Sequence, residues 1–323
     1  MAGLVTHHFL FTTEVITPIE LDEHSGAALR GNLFEAVWRR FCTNKASPTC
    51  AQCPLHTVCP VSALVAPLRE EHPRGRDIQR PYIVLPPLDS TKRYEAGQRL
   101  TFGLTLFGSI IQLLPYVMLS IELLEVAGLG RKLQEHNGGR GRFRVKKVES
   151  YHPFKGERQV IYEAGTPLVE TPTLSVTTAD VATRAAILSK ESITLTFLTP
   201  MRLVDQEQVL HHIEFRPLMQ RLLQRLGTLE DEYGEGDSYR SFSRCQELLQ
   251  LAETVQCIDD ATYWEEVGSY SHRQKRLMPI GGLQGKVTFV GDLEPFRELL
   301  TWGELVHVGK SVVKGNGWYK IVA

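Results

Sequence analysis

The order of strand-like and helix-like segments in the first half of the chain constrains its fold more than any other feature. The first helical segment shows the pattern well, because Leu29, Leu33 and Val37 recur at helical spacing. The segments are, in order, strand 4–17, helix 27–41, strands 82–88 and 100–107, helix 110–127 and strand 141–150. This strand-helix-strand-strand-helix-strand order predicts one α+β domain with a layer of helices on a sheet.

The second half of the chain repeats this order. Its segments are strand 192–204, helices 215–226 and 241–255, strands 263–271 and 284–290, a helix after Pro295 and strand 318–322. Residues 1–150 and 192–323 are therefore predicted as two tandem ferredoxin-like domains (βαββαβ, RRM-like). Residues 151–191 are predicted to bridge them, and a cysteine-rich insertion is predicted at 42–60 in the first domain.

Four of the six cysteines form one run, Cys42-x7-Cys50-x2-Cys53-x5-Cys59. Clustered thiols in a chain without secretory features favour a metal site over disulfides. The spacing is similar to the iron–sulfur loop of endonuclease III-type DNA glycosylases, with one extra residue in the first gap, whereas His56 could replace a thiolate in a zinc site. We predict a structural [4Fe–4S] cluster or zinc ion at these four cysteines, with thiols in a surface loop as the alternative.

Positive charge is concentrated between residues 128 and 160, where nine lysines and arginines accompany three glutamates, although the net charge of the chain is −1. A chain with segregated charges can hold a polyanion on one face while it remains nearly neutral overall. The segment therefore predicts contacts with RNA phosphates, and a solvated basic hairpin is the alternative. The predicted contacts in this segment are Arg131, Arg140, Arg142, Arg144, Lys146 and Lys147.

The last forty residues are rich in glycine, with Lys310 and Lys314 among the glycines and Trp318 and Tyr319 after them. Glycine allows a partner to approach the backbone closely, lysines bind phosphates, and aromatic rings stack on bases. The tail therefore predicts further RNA contacts, and two tight hairpin turns are the alternative.

Short motifs in a fixed order extend over most of the chain. They are Gly26-Ala-Ala-Leu-Arg-Gly31, Gly128-Leu-Gly-Arg131, Leu198-Thr-Pro200, Ser271-His-Arg-Gln-Lys275, Gly281-Gly-Leu-Gln-Gly285, Val308-Gly-Lys310 and Gly315-Asn-Gly317. With these motifs the chain resembles the CRISPR-associated endoribonucleases of the RAMP superfamily, which process precursor CRISPR RNA in antiviral defence. The resemblance implies tandem ferredoxin-like domains and binding of CRISPR repeat RNA, and it adds Arg30, Arg273 and Lys275 to the predicted RNA contacts.

The resemblance also implies that catalysis needs no metal. The ribose 2′-OH attacks the adjacent phosphate, and the products carry a 2′,3′-cyclic phosphate and a 5′-OH. This chemistry requires a base, an acid and cations around the phosphate, and histidine suits either proton-transfer role. His24 is the first candidate, because it precedes the first helix, where family members often place theirs. His152 is the second, with Tyr151 and Lys155 beside it.

Two other functions are compatible with parts of the sequence. A non-catalytic RAMP subunit of a CRISPR effector complex would share the same motifs but would lack a functional histidine. An iron–sulfur DNA-repair protein would need a helix-hairpin-helix and a catalytic Asp, and we find neither in the sequence. No apolar run reaches the roughly 18 residues of a membrane helix, and the N-terminus lacks the charged region of a signal peptide. We therefore expect a cytoplasmic protein without a membrane partner.

Overall fold

The computed structural model divides the chain into two compact units, Thr6–Ser175 and Met1–Val5 with Val176–Ala323. The structure describes residues 3–22, 24–68, 78–235, 242–271 and 276–322. Among these, no single helix is long and apolar enough to cross a membrane; the segments Gly108–Leu119 and Ile121–Ala127 reach that length only as a pair bent by 56°.

The first unit contains nine strands and four α-helices within its described residues. They are β1 (Thr6–Val15), β2 (Ile19–Glu20), α1 (Gly26–Phe41), α2 (Pro60–Leu64), β3 (Tyr82–Leu85), β4 (Arg93–Tyr94), β5 (Arg99–Phe107), α3 (Leu114–Leu119), α4 (Ile121–Ala127), β6 (Leu129–Leu133), β7 (Gly139–Gly141), β8 (Phe143–Tyr151) and β9 (Arg158–Glu163). The main sheet has the order β3-β5-β1-β8-β9, and all of its neighbours are antiparallel.

The helices of this unit cover one face of the sheet. On β1 the side chains of Phe9 and Phe11 are buried, and the Phe11 ring stacks on Phe102 of β5 at 5.0 Å. Leu29 and Leu33 of α1 enter the same core, in agreement with the helical spacing in the sequence. Strands β1, β3, β5 and β8 thus form the four-stranded ferredoxin-like sheet, and β9 extends its edge.

The described part of the second unit has eight strands and four α-helices. They are α5 (Thr178–Ala186), β10 (Ser192–Met201), β11 (Val204–Asp205), β12 (Gln208–Val209), α6 (Phe215–Tyr233), α7 (Phe242–Leu251), β13 (Gln256–Glu265), β14 (Gly268–Ser271), β15 (Arg276–Pro279), β16 (Gly282–Val290), α8 (Arg297–Val306) and β17 (Tyr319–Val322). The sheet order β13-β16-β10-β17 is antiparallel and repeats the ferredoxin-like arrangement.

Aromatic contacts fix the helices of the second unit on its sheet. Phe215, at the start of α6, lies edge-on to Phe289 of β16 at 4.9 Å and to Phe296 at 5.0 Å. The Tyr319 hydroxyl of β17 donates to Leu300 O of α8 at 2.7 Å. The prediction of two tandem ferredoxin-like domains is therefore confirmed, with both βαββαβ units read in sequence order.

Three details differ from the element boundaries predicted from sequence. The 110–127 segment is a 3-10 turn followed by α3 and α4, which are separated at Ser120, whose hydroxyl donates to Tyr116 O at 2.7 Å. Strand β13 begins at Gln256, ahead of the predicted 263–271 strand, and pairs along the full length of β16. The segment 151–191 contributes β9 to the first sheet and α5 to the second unit.

Candidate nucleic-acid interface

The hairpin formed by β6 and β7 lies directly against the chain segment that contains β2. A Cβ atom on Gly130 would collide with the backbone oxygen of Glu20, and one on Gly141 would collide with that of Pro18. Gly130 also has a φ of +81°, which side chains other than glycine rarely adopt. The glycines of the Gly128-Leu-Gly-Arg131 motif therefore allow this hairpin to pack closely on the rest of its own unit.

An open cavity of about 580 Å³ adjoins this hairpin. Its lining includes Lys132, Arg140 and Arg142, together with His136 and the turn at 137–139. Lys132 and Arg140 are paired across the hairpin, and the Arg140 guanidinium donates to Gly130 O at 2.5 Å. Within the described part of the chain, none of these three cations forms an ion pair, so their charges face the cavity without a carboxylate partner. The cavity is a site of positive potential suited to an anion.

His136 was missed in the sequence analysis, which considered only the lysines and arginines of this segment. Its Nε2 lies 2.9 Å from Pro18 O. Because a carbonyl oxygen only accepts, Nε2 must carry the proton, which makes Nδ1 the acceptor atom of the neutral ring. The side chain is 14% exposed, and Glu135 Oε1 lies 3.7 Å from Nε2. In the sequence, His136 could have been found from its position within the basic segment, immediately before the Asn137-Gly138 turn.

The other predicted cations of the basic segment make different contacts. Arg131 donates to Asp22 at 2.5 Å and to Glu20 at 3.2 Å. Lys146 pairs with Glu14 at 3.1 Å, and Lys147 pairs with Glu149 at 3.0 Å. These carboxylates offset the charge of Arg131, Lys146 and Lys147. The positive charge of the segment is thus concentrated at the cavity rather than spread along the strands.

Arg144 is exposed on β8, one residue before Val145, whose amide donates to the Glu125 carboxylate at 2.7 Å. Burial raises the pKa of Glu125, and the nearby charge of Arg144 lowers it in part. Arg144 forms no ion pair within the described part of the chain. It therefore remains a candidate RNA contact beside the cavity.

His24 precedes α1, and only 7% of its surface is exposed. The helix begins after Ser25, with no acidic residue in its first turn and no side-chain cap, so no side chain caps its first amides. Two contacts connect this region with the β6–β7 hairpin: the Asp22–Arg131 pair, and a hydrogen bond from the Asn32 side-chain amide to Gly128 O. The beginning of α1 and the β6–β7 hairpin are therefore in contact within the first unit.

Arg30, on the first turns of α1, lies over the ring of Phe34 at 5.6 Å. The nearby carboxylate of Glu35 accepts from Arg39 at 2.5 Å. The charge of Arg30 also acts on the buried hydroxyl of Tyr82, whose pKa is raised chiefly by burial. Arg30 is therefore positioned by packing on its own helix, and an RNA role for it remains a prediction.

His152 and its neighbours form a tight turn at the end of β8. His152 Nδ1 accepts from the amides of Phe154 and Lys155, both at 3.3 Å, and the ring is 2% exposed. Burial raises the pKa of Tyr151 to about 12, so this phenol stays protonated at neutral pH, and its ring lies 5.6 Å from the ring of His8. The structure brings His152, Tyr151 and the exposed Lys155 together, with one imidazole nitrogen occupied by the turn.

The glycines of the C-terminal tail approach the unit's own backbone. A Cβ on Gly309 would collide with Arg202 O, and one on Gly317 would collide with Val308 O. Lys314 Nζ donates to Ser269 Oγ at 3.1 Å, whereas Lys310 is exposed. The tail thus forms a compact loop between α8 and β17, and its glycines serve internal packing. The predicted contacts Arg273 and Lys275 lie outside the described residues.

The four clustered cysteines are free thiols, and each is partly exposed. In the described ranges, no three His, Cys, Asp or Glu side chains are close enough as they stand to hold a metal ion. The zinc or iron–sulfur assignment therefore stays a prediction at this point.

Two family models match the chain. A model described as an N-terminal domain matches residues 4–174, and the model of the CRISPR-associated endoribonuclease Cas6 matches residues 195–319. No curated protein matches the sequence.

Solved structures share the fold at low sequence identity. A Cas6 product complex gives a TM-score of 0.57 at 13% identity, over 98% of this chain and 99% of that chain. Thermus thermophilus Cas6 gives 0.54 at 15% identity over 100% of both chains. A partial Cas6-RT-Cas1–Cas2 complex gives 0.60 at 11% identity, over 99% of this chain and 46% of that chain.

The two family matches fall on the two units in turn, and the shared fold extends over both of them. At these identities the solved structures support the fold alone, while the Cas6 model matches the unit that carries the glycine-rich tail. Residues 195–319 thus match the CRISPR-associated endoribonuclease Cas6 domain, and the chain as a whole shares the fold of Cas6 structures.

Proposed function

We propose that this protein cuts CRISPR repeat RNA without a metal ion and retains the mature crRNA. In the proposed reaction a base removes the proton of the ribose 2′-OH, whose oxygen attacks the adjacent phosphorus. The bond to the 5′ oxygen breaks, and an acid supplies the proton that this oxygen needs. The products are a 2′,3′-cyclic phosphate and a 5′-OH.

The cavity beside the β6–β7 hairpin carries this proposal. It contains three cations, Lys132, Arg140 and Arg142, and an imidazole, that of His136. Fixed cations stabilise the charge that develops on the phosphate in the transition state. Because these cations have no carboxylate partner in the described part of the chain, RNA phosphates bind here without first breaking an ion pair.

We assign proton transfer first to His24, because it immediately precedes α1, in the region that the Asp22–Arg131 pair joins to the hairpin. His136 is the second candidate, since its Nδ1 is an acceptor in the neutral ring. His152, Tyr151 and Lys155 form the third, and its weakness is that His152 Nδ1 already accepts two amides. A proton-transfer residue of this kind typically contributes about 10²–10⁴-fold to the rate.

A second candidate function is an RNA-binding subunit of a CRISPR effector complex that does not cut. The burial of His24 and His152 favours this alternative, because a proton-transfer group must reach its substrate. Both functions place the protein in the cytoplasm with repeat RNA as its partner.

The experiment that separates them is cleavage of labelled CRISPR repeat RNA in EDTA. We expect the wild-type protein to cut and His24→Ala to lose about 10²-fold or more in rate, with His136→Ala and His152→Ala tested beside it. His212→Ala is the matched control, because His212 is exposed and lies 2.8 Å from Glu214 in the second unit. Melting curves separate lost chemistry from lost folding, above all for His152→Ala.

Equal cutting by the wild type and all three histidine variants would contradict the assigned residues. Tight binding of the RNA without cutting by the wild type would favour the non-catalytic subunit.

A further inference from the structure

The four clustered cysteines lie on the segment that connects α1 to α2, and the helix ends position two of them. Cys42 caps the C-terminus of α1, where its amide donates to Trp38 O at 3.0 Å. Cys59 caps the N-terminus of α2, where its carbonyl accepts from the amide of Ala63 at 3.0 Å. Since α1 and α2 are in contact, the outer two thiols are anchored to one packed helix pair.

The inner two cysteines share one turn. The Cys53 amide donates to Cys50 O at 3.3 Å, and the Asn44 side-chain amide donates to Cys53 Sγ at 3.6 Å. Amide donors to sulfur are typical of the surroundings of thiolate ligands.

The segment that carries these thiols has no core of its own. Leu55 and Val58 are exposed, and only turns lie between the end of α1 and the beginning of α2. A segment with so little apolar burial is held mainly by turn hydrogen bonds. Such a loop can rearrange when it binds a metal ion, because metal binding and local folding are coupled.

We propose that Cys42, Cys50, Cys53 and Cys59 bind one thiophilic metal centre, zinc or a [4Fe–4S] cluster, that fixes this loop between α1 and α2. Four thiolates complete either coordination sphere, so the site has no open position and its role is structural. His56 is not required as a ligand, since four thiolates are sufficient; its Nδ1 lies 3.1 Å from Cys53 O. The proposal does not depend on the catalytic assignments above.

The test is the metal content of the full chain, purified without oxygen and without a metal-affinity column. We expect about one zinc per chain, or about four irons with equal sulfide and a broad visible absorbance band. Cys50→Ser and Cys53→Ser are expected to lose at least about nine-tenths of this metal. Cys245→Ser and Cys257→Ser, which alter the two cysteines outside the loop, are expected to keep it, and so is His56→Ala.

Loss of metal must be separated from loss of folding. Limited proteolysis of the wild type, before and after treatment with a strong chelator, reports the loop directly, and we expect new cleavage between residues 42 and 59 after metal removal. Less than about a tenth of a metal per chain, even after reconstitution with zinc or with iron and sulfide under reducing conditions, would overturn the proposal. So would metal that persists in both Cys50→Ser and Cys53→Ser.

Discussion

Neutralising the cations of the β6–β7 cavity is expected to weaken RNA binding and to flatten its salt dependence. The perturbation is Lys132→Ala, Arg140→Ala and Arg142→Ala, singly and together. Each cation lines the cavity, and none of the three has a carboxylate partner within the described residues. Each should therefore displace counterions from the RNA when it contacts a phosphate.

The magnitude follows from the number of charges. A contact with single-stranded RNA contributes about −0.7 to the slope of log K against log salt, so three contacts contribute about −2. Between 50 and 200 mM salt, these contacts account for a loss of about 20-fold in wild-type affinity. The triple variant should lack this component, and each single variant should lack about a third of the slope.

The assay is fluorescence anisotropy of labelled repeat RNA at several salt concentrations. Lys146→Ala and Lys147→Ala are the matched controls, because these lysines lie on the neighbouring strand but pair with Glu14 and Glu149. We expect the control slopes to change by much less than that of Lys132→Ala. Equal effects of Lys132→Ala and Lys146→Ala, or an unchanged slope in the triple variant, would refute the assignment of the cavity to phosphate binding.

Two further predictions concern stability. Gly130→Ala should destabilise the fold by at least about 1–2 kcal/mol in thermal denaturation, because of its positive φ and the collision with Glu20 O. Gly31→Ala in α1 should instead stabilise the fold by about 0.5–1 kcal/mol, because the added methyl meets open space. Equal effects of the two variants would contradict the close packing of the hairpin. Burial raises the pKa of Tyr151 from 10.0 to about 12. The contribution of this phenol to the free energy of unfolding is therefore complete below pH 10 and is lost as the pH rises towards 12. The free energy of unfolding of the wild type should therefore fall more steeply over this range than that of Tyr151→Phe, and parallel curves would count against the burial of this phenol.

Much of the fold could be predicted from the sequence, because both sheets have regular alternation and the helices have clear apolar faces. Leu29 and Leu33 of α1 are buried as their spacing indicated. The break at Ser120 could not be predicted, since the residues on both sides of it are apolar. The edge strand β13 was also placed late, because most of its side chains are exposed on both faces and lack alternation.

The candidate site was only partly predictable. The sequence shows where the basic residues are concentrated, but composition cannot distinguish Lys132, which lines a cavity, from Lys146, which pairs with Glu14 on a neighbouring strand. That difference depends on strand register. Likewise, the glycines of the tail indicated close approach, and the approaching atom is Val308 O or Arg202 O of the same unit.

The proposed cleavage of RNA through its 2′-OH is tested most directly by one substitution in the substrate. Repeat RNA with a single 2′-deoxy nucleotide at the cleaved phosphate should bind as well as unmodified RNA but should not be cut. Unmodified RNA in EDTA should yield a 2′,3′-cyclic phosphate and a 5′-OH. Cleavage of the deoxy substrate at the same phosphate, or products with a 5′-phosphate, would contradict the account.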